Sequence, residues 1–104
     1  MPEGQGQGEQ VDEAESVARA AATLFQTRCG TCHGASGRGD GPGKPPIAQV
    51  PDLTSAAFQR TRTDAQLHEV IKKGRGLMPG FEKELTDLGI DALVKHVRTL
   101  ATSP

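Results

Sequence analysis

Cys29-Gly30-Thr31-Cys32-His33 holds both cysteines of the chain and one of its three histidines. Four chemistries can use two thiols at this spacing. A disulfide across two intervening residues strains a helix end and leaves His33 without a part. A thioredoxin-type redox pair needs a βαβ setting. A structural zinc site needs ligands from a second cluster, and no further cysteine exists. The fourth is covalent haem attachment, which this spacing with a following histidine signals. Two thiols on one helical turn can reach the two vinyl groups of one porphyrin. The next residue, His33, then lies under the iron and offers an imidazole nitrogen.

Working outward, the residues before the motif predict a helix from about Glu13 to the Cys29 region. Ala14, Val17, Ala18, Ala21, Leu24 and Phe25 recur at the spacing of one helical stripe. Asp12 with Glu15 has the spacing of a reciprocal cap. After the motif, Gly34-Ala-Ser-Gly-Arg-Gly-Asp-Gly-Pro-Gly-Lys-Pro-Pro46 reads as loop. Residues 51–58 hold one short helical turn. Thr63 with Gln66 caps a helix whose face is Leu67, Val70 and Ile71 and whose stop is Gly74. The last helix begins near Thr86, with Leu85 and Ile90 spaced as a hydrophobic staple and Ile90, Leu93, Val94, Val97 and Leu100 as its stripe. No strand pattern and no internal repeat are present. The fold class is all-α, with three or four helices joined by Gly/Pro-rich loops.

Composition agrees. The chain has 104 residues, 35% apolar and 3% aromatic, with no Trp and no Tyr. That is thin core material for one domain, and a flat apolar prosthetic group would supply the rest. No apolar run approaches the ~20 residues of a membrane span. Nucleic acid is not indicated, because no dense basic run or basic–aromatic alternation appears. Residues 1–12 read as a flexible tail or linker and 13–104 as the domain. No signal peptide is legible, so the chain reads as a mature form or an excised domain, and the tail suits a tether to a membrane or another domain.

A six-coordinate electron-transfer haem needs a second axial ligand. Met78 is the one methionine outside the tail, in Gly74-Arg-Gly-Leu-Met-Pro-Gly-Phe81, where Gly and Pro impose a non-helical path. A lone methionine is more often core filler; a haem in need of a ligand reverses that preference. His68 and His96 are rivals, His68 read as facing solvent and His96 as a packing residue.

The sequence resembles the class I (monohaem, His/Met) cytochromes c over roughly residues 14–101. Ala21-x-x-x-Phe25-x-x-x-Cys29-x-x-Cys32-His33 resembles that family's first helix, and Met78-Pro79 its distal ligand segment. Gly41-Pro42 resembles the loop whose proline carbonyl accepts a hydrogen bond from the proximal imidazole. Leu85-Thr86 leading to Leu93, Val94, Val97 and Leu100 resembles its last helix, which crosses the first. The family usually has Tyr, Phe or Trp where this chain has His96.

The resemblance implies a cytochrome c fold around one covalently attached haem c with its iron. It places Cys29, Cys32, His33, Pro42 and Met78 at the cofactor, with His33 and Met78 on the metal. The function implied is one-electron transport by low-spin iron, without enzymatic catalysis. The alternative is a haem-based sensor, or an accessory domain of a larger redox enzyme, with a labile distal methionine. Partners would be redox proteins, a terminal oxidase or another respiratory enzyme among them, met by a monomer in the bacterial periplasm or on the outer face of the cytoplasmic membrane. Leu24, Phe25, Leu53, Leu67, Ile71, Leu77, Leu93, Val94 and Val97 are expected around the haem. Docking is expected either on a basic stretch, Lys72, Lys73, Arg75 and Lys83, or on an apolar surface.

Overall fold

The computed structural model describes residues 13–101. The predicted 1–12 tail and its Asp12 cap lie outside them. The first helical stretch is α1 (Glu13–Leu24), a π-helical turn (Phe25–Cys29) and α2 (Gly30–His33). Five alanines give α1 high intrinsic helicity. The wide turn closes where the Gly30 N–H reaches the Phe25 carbonyl five residues back. Thr27 sits inside it and donates its hydroxyl to the Thr23 and Leu24 carbonyls at 3.1 and 3.3 Å. A side chain that takes those acceptors competes with the regular backbone ladder. The helix therefore continues one short turn beyond the predicted stop near Cys29.

The glycine-rich stretch is more than a connector. The last carbonyls of a helix lack partners within it. Here Gly43 N–H donates to the Thr31 carbonyl, Gly41 to Cys32 and Gly39 to His33, at 2.9, 3.0 and 2.7 Å. Alternate residues thus cap the motif's own backbone. A Cβ on Gly41 would lie 2.1 Å from the Thr31 carbonyl oxygen, so the loop can approach this closely only without one.

Helix α3 (Ala56–Thr61) starts later than the predicted turn at 51–58. Asp52 holds Thr54 through its N–H and hydroxyl, at 2.9 and 2.6 Å, and keeps that segment a turn until Ser55 caps the helix. Helix α4 (Asp64–Lys73) has the predicted Thr63–Gln66 box and ends at Gly74, φ 85°. Helix α5 (Asp87–Thr99) is capped by Thr86, whose hydroxyl accepts from Gly89 N–H. No strand occurs among the described residues.

The core lies where α1 crosses α5 and α5 meets α4. Ala21 and Phe25 pack with Leu53, Leu67, Leu93, Val94 and Val97. Each large apolar side chain buried here stabilises by about 1.5–3 kcal/mol. His96 takes the place of an aromatic at the helix crossing: its ring lies 5.0 Å from that of Phe25. Only the lower part of the predicted α1 stripe is used. Ala14, Val17 and Ala18 are exposed, Val17 by 49%, because the first turns of α1 project past the buried core. At the other end, Arg98 of α5 binds Asp64, the Gln59 side chain and backbone, and the Arg62 carbonyl. That one guanidinium ties α5 to α3 and to the start of α4.

Candidate functional site

A cavity of about 990 Å³ runs between these elements. Phe25, Cys29, Cys32 and His33 line it from the first helical stretch. Leu67, Val70 and Ile71 line it from α4, and Leu77, Met78, Pro79 and Phe81 from the loop beyond. Leu53, Phe58, Leu93 and Val97 complete the apolar wall. Close-packed interiors leave few voids larger than a water molecule, so a recess of this size and character is a seat for a large, flat, apolar group. The fold brings four of the five predicted site residues, Cys29, Cys32, His33 and Met78, into one lining although Met78 is 45 positions beyond His33 in the chain.

The chemistry of the donors suits haem. Cys29 and Cys32 are free, half-buried thiols. Burial pushes the Cys29 thiol up to about 11, against a smaller downward pull from Arg28, so it stands as a neutral S–H at pH 7. Burial lowers the His33 pKa, which keeps the imidazole neutral and its lone pair available. Its Nδ1 is buried without a hydrogen-bond partner.

Pro42 lies in the predicted loop, between the two glycines that cap the Thr31–Cys32 end, but it is exposed. Its carbonyl forms no hydrogen bond with His33 Nδ1.

The distal segment is a tight circuit on the end of α4. Arg75 and Met78 exchange backbone hydrogen bonds at 3.0 and 2.9 Å. Phe81 N–H returns to the Ile71 and Lys72 carbonyls, at 2.9 and 3.1 Å. Met78 is thereby half-buried and held at the cavity wall. Neither rival histidine lines the cavity. His68 does not face open solvent as expected: its ring is clamped by Asp91 at 2.6 Å and Asp87 at 3.2 Å. Both carboxylates, Asp91 foremost, raise its pKa.

Two further expectations change. Leu77, predicted as haem packing, lines the cavity yet is 61% exposed, and Val94 is buried in the helix crossing without lining the cavity. The basic stretch is half neutralised, since Lys72 pairs with Asp87 and Lys73 with Glu82. Ile47, 82% exposed, and Leu77 are exposed apolar residues of the cavity lining.

Sequence reasoning missed Arg28. Its guanidinium donates to both carboxylate oxygens of Glu84 and lies 5.1 Å from the centre of the Phe81 ring. A separation of 56 residues leaves no local signal for such a contact.

A helical domain whose cavity is lined by a Cys-x-x-Cys-His turn and one methionine is a c-type cytochrome domain. Residues 16–97 match the family described as cytochrome c oxidase, cbb3-type, subunit III, and the chain belongs to that family. It is 37% identical over 75 residues to cytochrome c-555 of Methylococcus capsulatus (strain Bath), covering 70% of this chain and 53% of that protein. It is 33% identical over 85 residues to the cbb3-type cytochrome c oxidase subunit CcoP of Azospirillum sp. (strain B510), covering 75% of this chain and 27% of that subunit. The chain thus spans about half the length of one of these relatives and about a quarter of the other. Among solved structures, the KustC0563 c-type cytochrome superposes with a TM-score of 0.69 at 29% identity, covering 79% of this chain and 98% of its own. The family implies haem c with its iron and a part in electron transfer.

Proposed function

We propose that the chain binds one haem c through thioethers to Cys29 and Cys32 and carries single electrons with His33 and Met78 as axial ligands. The observation that carries this reading is the convergence of those four side chains on one apolar cavity. Cys29 and Cys32 would hold the haem as thioethers, each thiol taking up one vinyl group with no net oxidation. His33, kept neutral by burial, offers a nitrogen lone pair. Met78 offers a soft thioether, which favours the ferrous state and raises the potential. The apolar walls act in the same direction by disfavouring the more highly charged ferric state. With both ligands in place no coordination position is left for a substrate. Haem bound there supplies one-electron cycling between Fe(II) and Fe(III).

Electrons pass at the cavity mouth, where Ile47 and Leu77 offer an apolar docking rim. Family membership supports a respiratory redox enzyme as partner, reached as a monomeric domain in the bacterial periplasm or on the outer face of the cytoplasmic membrane. The short span relative to CcoP supports a domain of a larger redox assembly as the setting, with residues 1–12 as its linker and 13–104 as the domain.

Mass spectrometry of the denatured holoprotein tests the central claim. The expected mass is that of the chain plus one haem, resistant to acid–acetone extraction; extractable haem, or a second haem, rejects it. The apolar rim predicts electron-transfer rates that change less than about twofold between low and high salt. A charged patch, screened over a Debye length of about 10 Å at 0.1 M, would show a steep fall.

A further inference from the structure

The Met78 loop is anchored to α4 at both stems, yet the wall opposite it belongs to the first helical stretch. Arg28, the residue before Cys29, bridges the two. Its fork donates to Glu84 Oε1 and Oε2, and its flat face lies over the buried ring of Phe81, three residues beyond Met78. The segment it grips is itself rigid: Glu84 and Leu85 N–H both return to the Phe81 carbonyl, at 3.0 and 2.9 Å. On the loop side, a Cβ on Gly80 would lie 2.5–2.6 Å from Lys72 and Lys73 backbone atoms, so the path from Phe81 back to Met78 has little freedom. Arg28 also lines the cavity. A planar five-donor fork can do both tasks at once; an ammonium group cannot.

We infer that Arg28 is a positioning residue, which braces the far stem of the Met78 loop against the Cys29 end of the haem-binding helix and so sets how often the Met78 thioether leaves the iron. This rests on Met78 being the sixth ligand. An external ligand can bind only while Met78 is displaced, so its apparent affinity rises in proportion to the displaced fraction. A bidentate surface pair and a cation–π contact, each of modest strength, together make the brace worth about a threefold to tenfold change in that fraction.

Imidazole titration of the ferric holoprotein at constant pH reads it directly. Arg28→Gln is expected to tighten imidazole binding about threefold to tenfold while the far-red charge-transfer band of the unliganded protein persists. Asp64→Asn removes an Arg98–carboxylate contact of 2.9 Å, distant in sequence from the loop stem, and is expected to leave imidazole affinity unchanged even where it lowers the unfolding midpoint. Should Arg28→Gln fail to load haem, Glu84→Gln removes the acceptor charge from the other side and is read in the same way. Tightening of less than threefold, or equal tightening in Asp64→Asn, overturns the brace. A wild-type protein lacking the charge-transfer band rejects Met78 ligation itself, a separate failure.

Discussion

The two sides of the cavity are built by different means. On the His33 side, the functional residues sit in continuous helix, and the loop that follows caps that helix through three backbone hydrogen bonds at every second residue. On the Met78 side, the functional residue sits in an irregular segment. Backbone bonds to α4 and long side-chain contacts hold it, from Arg28 to Glu84 and from Lys73 to Glu82. The first arrangement is local and survives as long as the helix does. The second depends on the turn carrying Arg28 and on α4 already being in place.

The strongest way to break the comparison is to remove what both walls enclose. Cys29→Ser with Cys32→Ser is expected to abolish cooperative unfolding, measured by circular dichroism during denaturant titration. Cavities in protein cores cost roughly 24 cal/mol per Å³. Even about a quarter to a half of that over about 990 Å³ is comparable with the roughly 5–15 kcal/mol of a domain's stability. Persistence of a sharp transition without haem would show that the walls stand alone.

Met78→Ala separates the walls. The His33 side should stay folded, while the charge-transfer band disappears and the potential falls by on the order of 0.1–0.3 V, within the ≈ 0.8 V range that axial ligands set. Voltammetry and the ferric spectrum check it, and carbon monoxide should then bind the ferrous protein.

Two glycine substitutions sharpen the contrast. Gly41→Ala drives a Cβ against the Thr31 carbonyl on the His33 side. Gly74→Ala strains a residue at φ 85° and drives a Cβ to 2.6 Å from the Met78 carbonyl. Each is expected to cost about 2–4 kcal/mol in denaturant unfolding. Gly74→Ala should also weaken the charge-transfer band, whereas Gly41→Ala should leave it intact.

The smallest effects lie in pH. Burial lowers the pKa of His96, so the unfolded chain takes up that proton more readily and stability is lost as pH falls through the ordinary value of 6.5. Asp91 and Asp87 raise the pKa of His68, so its contribution is complete below 6.5 and is lost as pH rises through the raised value. His96→Phe should flatten the acid limb of a stability–pH curve, and His68→Gln should remove only the low-pH gain. Identical curves for the two variants would contradict the opposite environments.

Much of what is decided within a few residues was legible in the chain. The Cys-x-x-Cys-His spacing, the Thr63–Gln66 box, the Thr86 cap, the Gly74 stop and the α5 stripe all rest on helical period and terminal hydrogen bonding, which operate over one or two turns. The expectation for Met78 combined such local signals with the chemical need for a ligand, and Met78 lines the cavity. What tertiary structure alone decided is the company these residues keep. The clamp on His68, the pairing of Lys72 with Asp87, and the reach of Arg28 to Phe81 and Glu84 all follow from how separate segments approach. The burial that lowers the pKa of His33 belongs with them, since residues from several elements line the cavity beside it. Side-chain partners tens of residues apart are selected by packing and desolvation across the assembled fold, and neither leaves a period or a spacing in the sequence.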